Sequence, residues 1–373
     1  MGKIKVYLQY PWSFPDSPYY KYLINFPPKN IKYLNVTKQK GVIINKKFFW
    51  LSNFLKRKIR KWINKFKMTI PNAHLTKSLE KFDIIHCAHC LSKNKNNPWI
   101  VDLESYWQLY VGEKNKKSIK KVRKILLRKN CKKIIPWTKL AKKDFLTDFP
   151  ELKGKVEIVY PAVPLKIEKK VHQKNIILLF SGRYFFRKGG LHALEVMNTL
   201  TKKYKNVRAI FQSETPKEIL KKYSQNKKIE FCGLIPQNEL FELYKKADIL
   251  IYPGYSDSFG FAYLEAMSFG VPIITIDGFS RKDILADGKT GFIVPYTGWT
   301  AKDKDNKIDP HSLGQREQKI IRQIIKRASK LIKDKNLLKK MSKNCIKTIK
   351  NGKFSIKKRN EKLEKIYRNS LNI

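Results

Sequence analysis

The chain has 373 residues, of which 42% are hydrophobic and 12% aromatic; that suffices for two packed cores and excludes a disordered chain. Its 80 Lys and Arg against 30 Asp and Glu give a formal net charge of +50. The lysines are spread along the whole chain with no base-recognition motif, so no specific nucleic acid is expected as ligand, and an anionic membrane or a phosphorylated substrate suits the charge better.

Five scattered cysteines, Cys87, Cys90, Cys131, Cys232 and Cys345, argue against a disulfide framework and fit a reducing cytosol. The opening MGKIKVYLQY is too short and too polar for a signal peptide, and no apolar run reaches membrane-spanning length. A cytoplasmic protein, soluble or peripheral on the inner face of the cell membrane, is therefore expected.

Residues 4–8 read as a buried strand, and residues 10–20 as a loop forced by Pro11, Pro15 and Pro18. Residues 41–44 suggest a short strand. Residues 46–67, opened by Lys46 and closed by Lys67, place Phe48, Leu51, Leu55, Ile59, Trp62 and Phe66 at helical spacing among lysines and arginines. Such an amphipathic basic helix either lays its apolar face on anionic lipid or packs on the first core with its basic face in water; Trp50, Trp62 and the phenylalanines favour lipid. Strands are expected at 82–86, 99–103, 133–136 and 156–159 with helices between them, which is the pattern of a parallel α/β sheet. Pro161, Pro164 and the polar run 168–174 look like a linker.

The second half alternates more plainly. Strands are expected at 175–180, 207–211, 229–232, 249–252, 272–276 and 293–294, with helices at 191–204, 216–223, 238–247 and 261–269, a doubly wound sheet. A polar excursion over 296–312 and helices near 316–334 and 336–351 precede a last helix from about Ser355.

Two constellations carry chemistry. In SGRYFFRKGG, residues 181–190, Gly182 lets the chain turn at the end of a strand, and Arg183 and Lys188 lie just before a helix. Two cations there can neutralise a diphosphate, or they can simply be a solvated basic turn. In IYPGYSDSFGFAYLEAMSFGVPIIT, residues 251–275, a strand, a loop, a helix and a strand follow one another. Asp257 lies in the loop and Glu265 within the helix, Gly260 permits close approach of the backbone, and the amides of Ser258, Phe259, Gly260 and Phe261 lie at the helix N-terminus, where phosphate or sugar hydroxyls are favoured.

With these residues in order, the segment resembles the retaining glycosyltransferases of the GT-B fold, family 4 (glycosyl transferases group 1). Their pattern, close to E-x-F-G-x-x-x-x-E-A-M-A-x-G-x-P-V-I, reads here from Asp257 through Glu265-Ala-Met to Pro272, with Asp257 one methylene shorter than the family's first Glu. The family's Arg and Lys, five residues apart, match Arg183 and Lys188, and Phe231 to Pro253 follows the stretch in which the residues after Gly233, beginning with Leu234, border the nucleobase. The match is strong over about residues 175–295.

The resemblance implies an α/β fold of two Rossmann-like domains facing an interdomain cleft: an acceptor-binding domain at 1–165, a nucleotide-sugar-binding domain at 172–353, and a C-terminal helix at 354–373 crossing back to the first domain. It implies transfer of a sugar, with retention of configuration, from a nucleoside-diphosphate sugar to a lipid-linked or polysaccharide acceptor, with no metal and no further cofactor. Glu265 would hold the ribose, Asp257 the sugar hydroxyls, Arg183 and Lys188 the diphosphate, and the amides of residues 259–261 sugar or phosphate.

The first half departs from the family: an aromatic, Pro-rich stretch stands where a Gly-rich acceptor loop is usual, and Asp102 and Glu104 stand where many members place a His. Glu104 can orient or deprotonate an acceptor hydroxyl, or it can cap a helix. HCAHC, residues 86–90, is too compact to place four ligands round one tetrahedral zinc, so buried cysteines and a cleft-lining His86 or His89 are expected. A nucleotide-sugar epimerase of the same shape and a basic nucleic-acid-binding protein are the alternatives from other classes. An NAD enzyme is disfavoured, since no G-x-G-x-x-G follows a strand.

Overall fold

Parallel strands covered on both faces need continuous apolar runs rather than alternation, and the central strands of both sheets are buried throughout. The structure is a computed structural model that describes residues 2–10, 17–36, 58, 69–112, 114–166, 174–255, 259–296 and 309–373. The basic helix expected at 46–67 and the strand at 41–44 lie outside the described residues, as do most of the linker at 168–174 and of the excursion at 296–312. The chain divides into two compact units, one made of Met1–Ala162 with Ile356–Ile373 and the other of Val163–Ser355.

In the first unit, β1 (Ile4–Gln9), β2 (Ile31–Leu34), β3 (Ile84–Ala88), β4 (Trp99–Leu103) and β5 (Cys131–Pro136) form one parallel sheet in the order β2-β1-β3-β4-β5. All five residues of β3 and all five of β4 are buried. Among the described residues, the helices of this unit are α1 (Pro18–Asn25), α2 (Lys116–Leu126), α3 (Lys139–Asp148) and, at the far end of the chain, Ile356–Leu371. Asn115 caps α2 by accepting from the Ser118 amide at 2.8 Å, and Thr138 caps α3 by accepting from the Ala141 amide at 3.0 Å.

Three expectations need correction here. The loop foreseen over 10–20 ends early, because Pro18 opens α1; its fixed φ and missing N–H suit the first helical position, and Tyr19 and Tyr20 then become core. The strand foreseen at 156–159 is a single bridge from Val156 to Ile134 that follows a 3-10 turn at Pro150–Lys155. The strand β2 was not foreseen, since Lys32 interrupts its four residues.

In the second unit, β6 (Ile176–Ser181), β7 (Val207–Gln212), β8 (Ile229–Cys232), β9 (Ile249–Ile251), β10 (Ile273–Ile276) and β11 (Gly291–Val294) pair in parallel in the order β8-β7-β6-β9-β10-β11. This is the order of a dinucleotide-binding sheet. Its helices are α4 (Gly190–Lys203), α5 (Lys217–Tyr223), α6 (Gln237–Lys246), α7 (Phe261–Ser268), the short α8 (Arg281–Ile284), α9 (Gln315–Lys333) and α10 (Lys335–Lys350). The last helix of the chain is then α11.

Candidate functional site

The strand order of the second sheet reverses between β6 and β9, so the turns after these two strands part and leave a crevice at the carboxyl ends, where open α/β sheets take ligands. Both sequence constellations sit on those turns. The Gly254 amide donates to the Lys188 carbonyl at 3.0 Å, which joins one turn to the other.

On the β6 side, Gly182 lies so close to Lys188 that an added Cβ would stand 2.9 Å from the Lys188 Cβ. Arg183 and Lys188 are half-buried, and the Lys188 ammonium lies 6.0 Å from the centre of the Tyr252 ring. Gly189 caps α4 with φ +76°, and a Cβ there would fall 2.6 Å from Pro253. No side chain other than hydrogen fits this crossing of the two turns.

On the β9 side, Gly260 caps α7 in the left-handed conformation, φ +84°. Phe259 is buried with its ring 5.0 Å from that of Phe261. Glu265, one helical turn further, is 7% exposed and accepts from Gln237 Nε2 at 3.0 Å. The helix therefore presents its N-terminal amides and a buried carboxylate along one line. Asp257 and Ser258 lie outside the described residues.

Behind the crevice, polar side chains lace the strand ends together. Buried Gln212 accepts from Ser181 Oγ at 2.8 Å and donates to the Gly233 carbonyl at 2.9 Å, and Ser213 Oγ donates to the Gly182 carbonyl at 2.6 Å. A cavity of about 430 Å3 opens beside them, lined by Ser213, Thr215, Phe231, Cys232 and Gly233 among others. A Cβ on Gly233 would meet nothing within 4 Å, so this glycine borders open space, and Leu234 beside it is half-buried. Gln212, Ser213 and Gln237 were not singled out from the sequence. Polar residues ending apolar strands were the available signal, because parallel strands end at their ligand side.

The carboxyl ends of the first sheet are filled differently. Asp102 is fully buried. Its carboxylate accepts from Tyr20 Oη at 2.7 Å and lies 3.1 Å from His86 Nε2 and 3.3 Å from His89 Nδ1. Burial pushes the Asp102 carboxyl up, but the two histidines and Tyr20 outweigh it and hold the group below its ordinary value. His86 Nδ1 lies 2.7 Å from the Tyr367 hydroxyl on α11, so both histidines of the HCAHC stretch serve this cluster, and Cys87 and Cys90 are core. Glu104 is half-buried after β4, and Ser105 stands at the N-cap position of the 3-10 turn that follows.

The fold and the crevice define an α/β protein of two Rossmann-like units with an anion-suited site at the switch point of the second. Residues 164–309 match the family model of glycosyl transferases group 1. A glycosyltransferase from Rickettsia africae aligns over 99% of both chains with a TM-score of 0.62 at 15% identity, and HepE from Anabaena in complex with UDP over 97% of this chain and 98% of its own with 0.60 at 12%. These likenesses establish the two-domain GT-B fold. An uncharacterized glycosyltransferase of Methanocaldococcus jannaschii is 23% identical over 226 residues, 52% of this chain and 58% of its own length. The chain spans about half the length of the curated relatives it matches, 42% and 58% in two of them.

Proposed function

We propose that the chain is a retaining glycosyltransferase that moves a sugar from a nucleoside-diphosphate sugar to a lipid-linked or polysaccharide acceptor without a metal ion. The observation that carries the reading is the joining of the two turns at the switch point, Gly254 to Lys188, which brings the Arg183 and Lys188 turn beside the loop leading into α7. The bond between the anomeric carbon and the diphosphate oxygen breaks, so that negative charge develops on the diphosphate, while the acceptor oxygen bonds to the same face of that carbon and its hydroxyl proton passes to the departing diphosphate oxygen. Arg183 and Lys188 neutralise that charge, together with the amides at the head of α7. Glu265, oriented by Gln237, holds the ribose hydroxyls, and the base enters the cavity beside Gly233 and Leu234. Asp257 holds sugar hydroxyls.

In this reading the first unit takes the acceptor, and Glu104 orients its hydroxyl. The segment at 46–67 docks on anionic lipid from the cytoplasmic side. No helix among the described residues is long and apolar enough to cross a membrane.

A thermal-shift screen against UDP-, GDP-, ADP- and CDP-sugars identifies the donor, since ligand binding raises the melting temperature. Transfer is then followed in the presence of EDTA, with the anomeric configuration of the product read by NMR. A protein that binds none of the four, or a Glu265→Ala variant that keeps full activity, overturns the proposal. Isomerised sugar released without acceptor points to an epimerase instead.

A further inference from the structure

His192 lies two residues into α4, below the Arg183 and Lys188 turn, and is fully buried. Its Nε2 stands 2.8 Å from the Ser312 carbonyl. A carbonyl only accepts, so Nε2 carries the ring proton. Its Nδ1 is therefore the acceptor for the Tyr255 hydroxyl, 2.5 Å away. Tyr255 is itself buried, and its ring lies 3.0 Å from the point where a Cβ on Gly189 would stand. Three separate segments thus meet on one imidazole: the helix after the cationic turn, the loop after β9 two residues before Asp257, and the chain entering α9. The stacking of His311 on Phe186, 3.9 Å between ring centres, holds the third segment against the cationic turn as well.

We propose that His192 is a positioning residue that, as the neutral ring with its proton on Nε2, holds the Tyr255 loop against the cationic turn and so sets the geometry of the donor site. The proposal rests on the reading of this crevice as a nucleotide-sugar site. A second proton would occupy Nδ1, forcing the Tyr255 hydroxyl to turn round and accept, and would put a charge into a buried site. Burial keeps the ring neutral by lowering its proton affinity, against the Ser312 carbonyl, Glu317 and Asp309, which raise it. The other titratable or charged groups facing the pair are Arg281 and Tyr296, both on the Tyr255 side, and His311 beyond Phe186.

The test compares wild type with His192→Ala, His192→Asn and Tyr255→Phe from pH 7.5 to 5.5. Two quantities are read: UDP affinity by calorimetry, and hydrogen exchange of peptides covering residues 252–261. The Asn side chain keeps an acceptor at the Nδ1 position and does not titrate. The expected result at pH 7.5 is UDP binding weakened about tenfold in His192→Ala and Tyr255→Phe, from the loss of one buried hydrogen bond, and retained within about twofold in His192→Asn.

Towards pH 5.5, wild type loses UDP affinity and loop protection, and His192→Asn does not lose the protection. UDP itself takes up a proton near pH 6, so the decisive affinity is the difference between the two proteins. Identical pH profiles for wild type and His192→Asn, or wild-type protection of the loop in His192→Ala, overturn the proposal. If wild-type protein binds none of UDP, GDP, ADP or CDP, the donor-site reading fails, and the exchange data still decide whether His192 holds the loop.

Discussion

The two sheets share a parallel architecture and end in opposite ways. At the carboxyl ends of the first sheet, Asp102, His86, His89 and Tyr20 consume one another's hydrogen bonds, all buried. At the carboxyl ends of the second, Gly182, Gly189, Gly254 and Gly260 keep side chains away, Arg183 and Lys188 stand half-exposed, and a cavity opens next to Ser213. The same scaffold position is thus spent on cohesion in one unit and on access in the other. Substitutions and an acid titration separate these uses.

The largest effect is expected at Asp102. Removing one member of a buried charged cluster leaves its partners uncompensated, so Asp102→Ala should cost about 3–5 kcal/mol. Urea denaturation followed by Trp fluorescence reads it, since Trp99 and Trp137 are buried in this unit. A loss below about 1 kcal/mol, the size of an ordinary hydrogen bond, would show that the cluster holds nothing together. Next come Arg183→Ala and Lys188→Ala, each expected to lower the transfer rate by about 10²–10³ with an unchanged melting temperature, as the loss of a group that meets charge only in the transition state does. A falling melting temperature would move these cations from the site into the structural framework.

Smaller again is Gly189→Ala, where the new Cβ meets Pro253 and the backbone is left-handed; a cost of about 1–3 kcal/mol is expected. Gly233→Ala, facing open space, should stay within about 0.5 kcal/mol and serves as its control. If the two cost the same, the crossing of the turns is not tight. The mildest test is acid titration. Asp102 is held below its ordinary value of 3.8, so the stability it contributes is complete above that pH and disappears as pH falls through the lower native value. Below pH 3.8 the wild-type curve should therefore drop more steeply than that of Asp102→Asn.

Much of the second unit was legible because strands such as β6 and β9 are buried apolar runs and turns are marked by Gly and Pro, as in Gly270-Val271-Pro272 before β10. Pattern and spacing placed Arg183, Lys188 and Gly260 on the turns that the fold brings together, and Glu265 in the helix that follows. The residues behind them were not legible. Gln212 reaches Ser181 on one neighbouring strand and Gly233 beyond another, and His192 reaches Ser312 across 120 residues. Such contacts depend on strand order and register, which hydrophobic periodicity does not encode. In the first unit the same limit hid the purpose of HCAHC: spacing could weigh it as a metal cluster, while only the fold shows both histidines turned to Asp102. The helix at Arg281–Ile284 was missed because four residues carry no period.

The place of α11 bears on how the protein is made. Tyr367 contacts His86 and Tyr33, and Arg359, fully buried, donates to the Phe26 carbonyl, so residues 356–373 complete a core begun before residue 162. The intervening unit, residues 163–355, is translated before that completion. During synthesis it can close while the earlier half still waits with Tyr33 and His86 unsealed. Residues 2–162 thus reach their native packing only after the unit that follows them in the chain has been made.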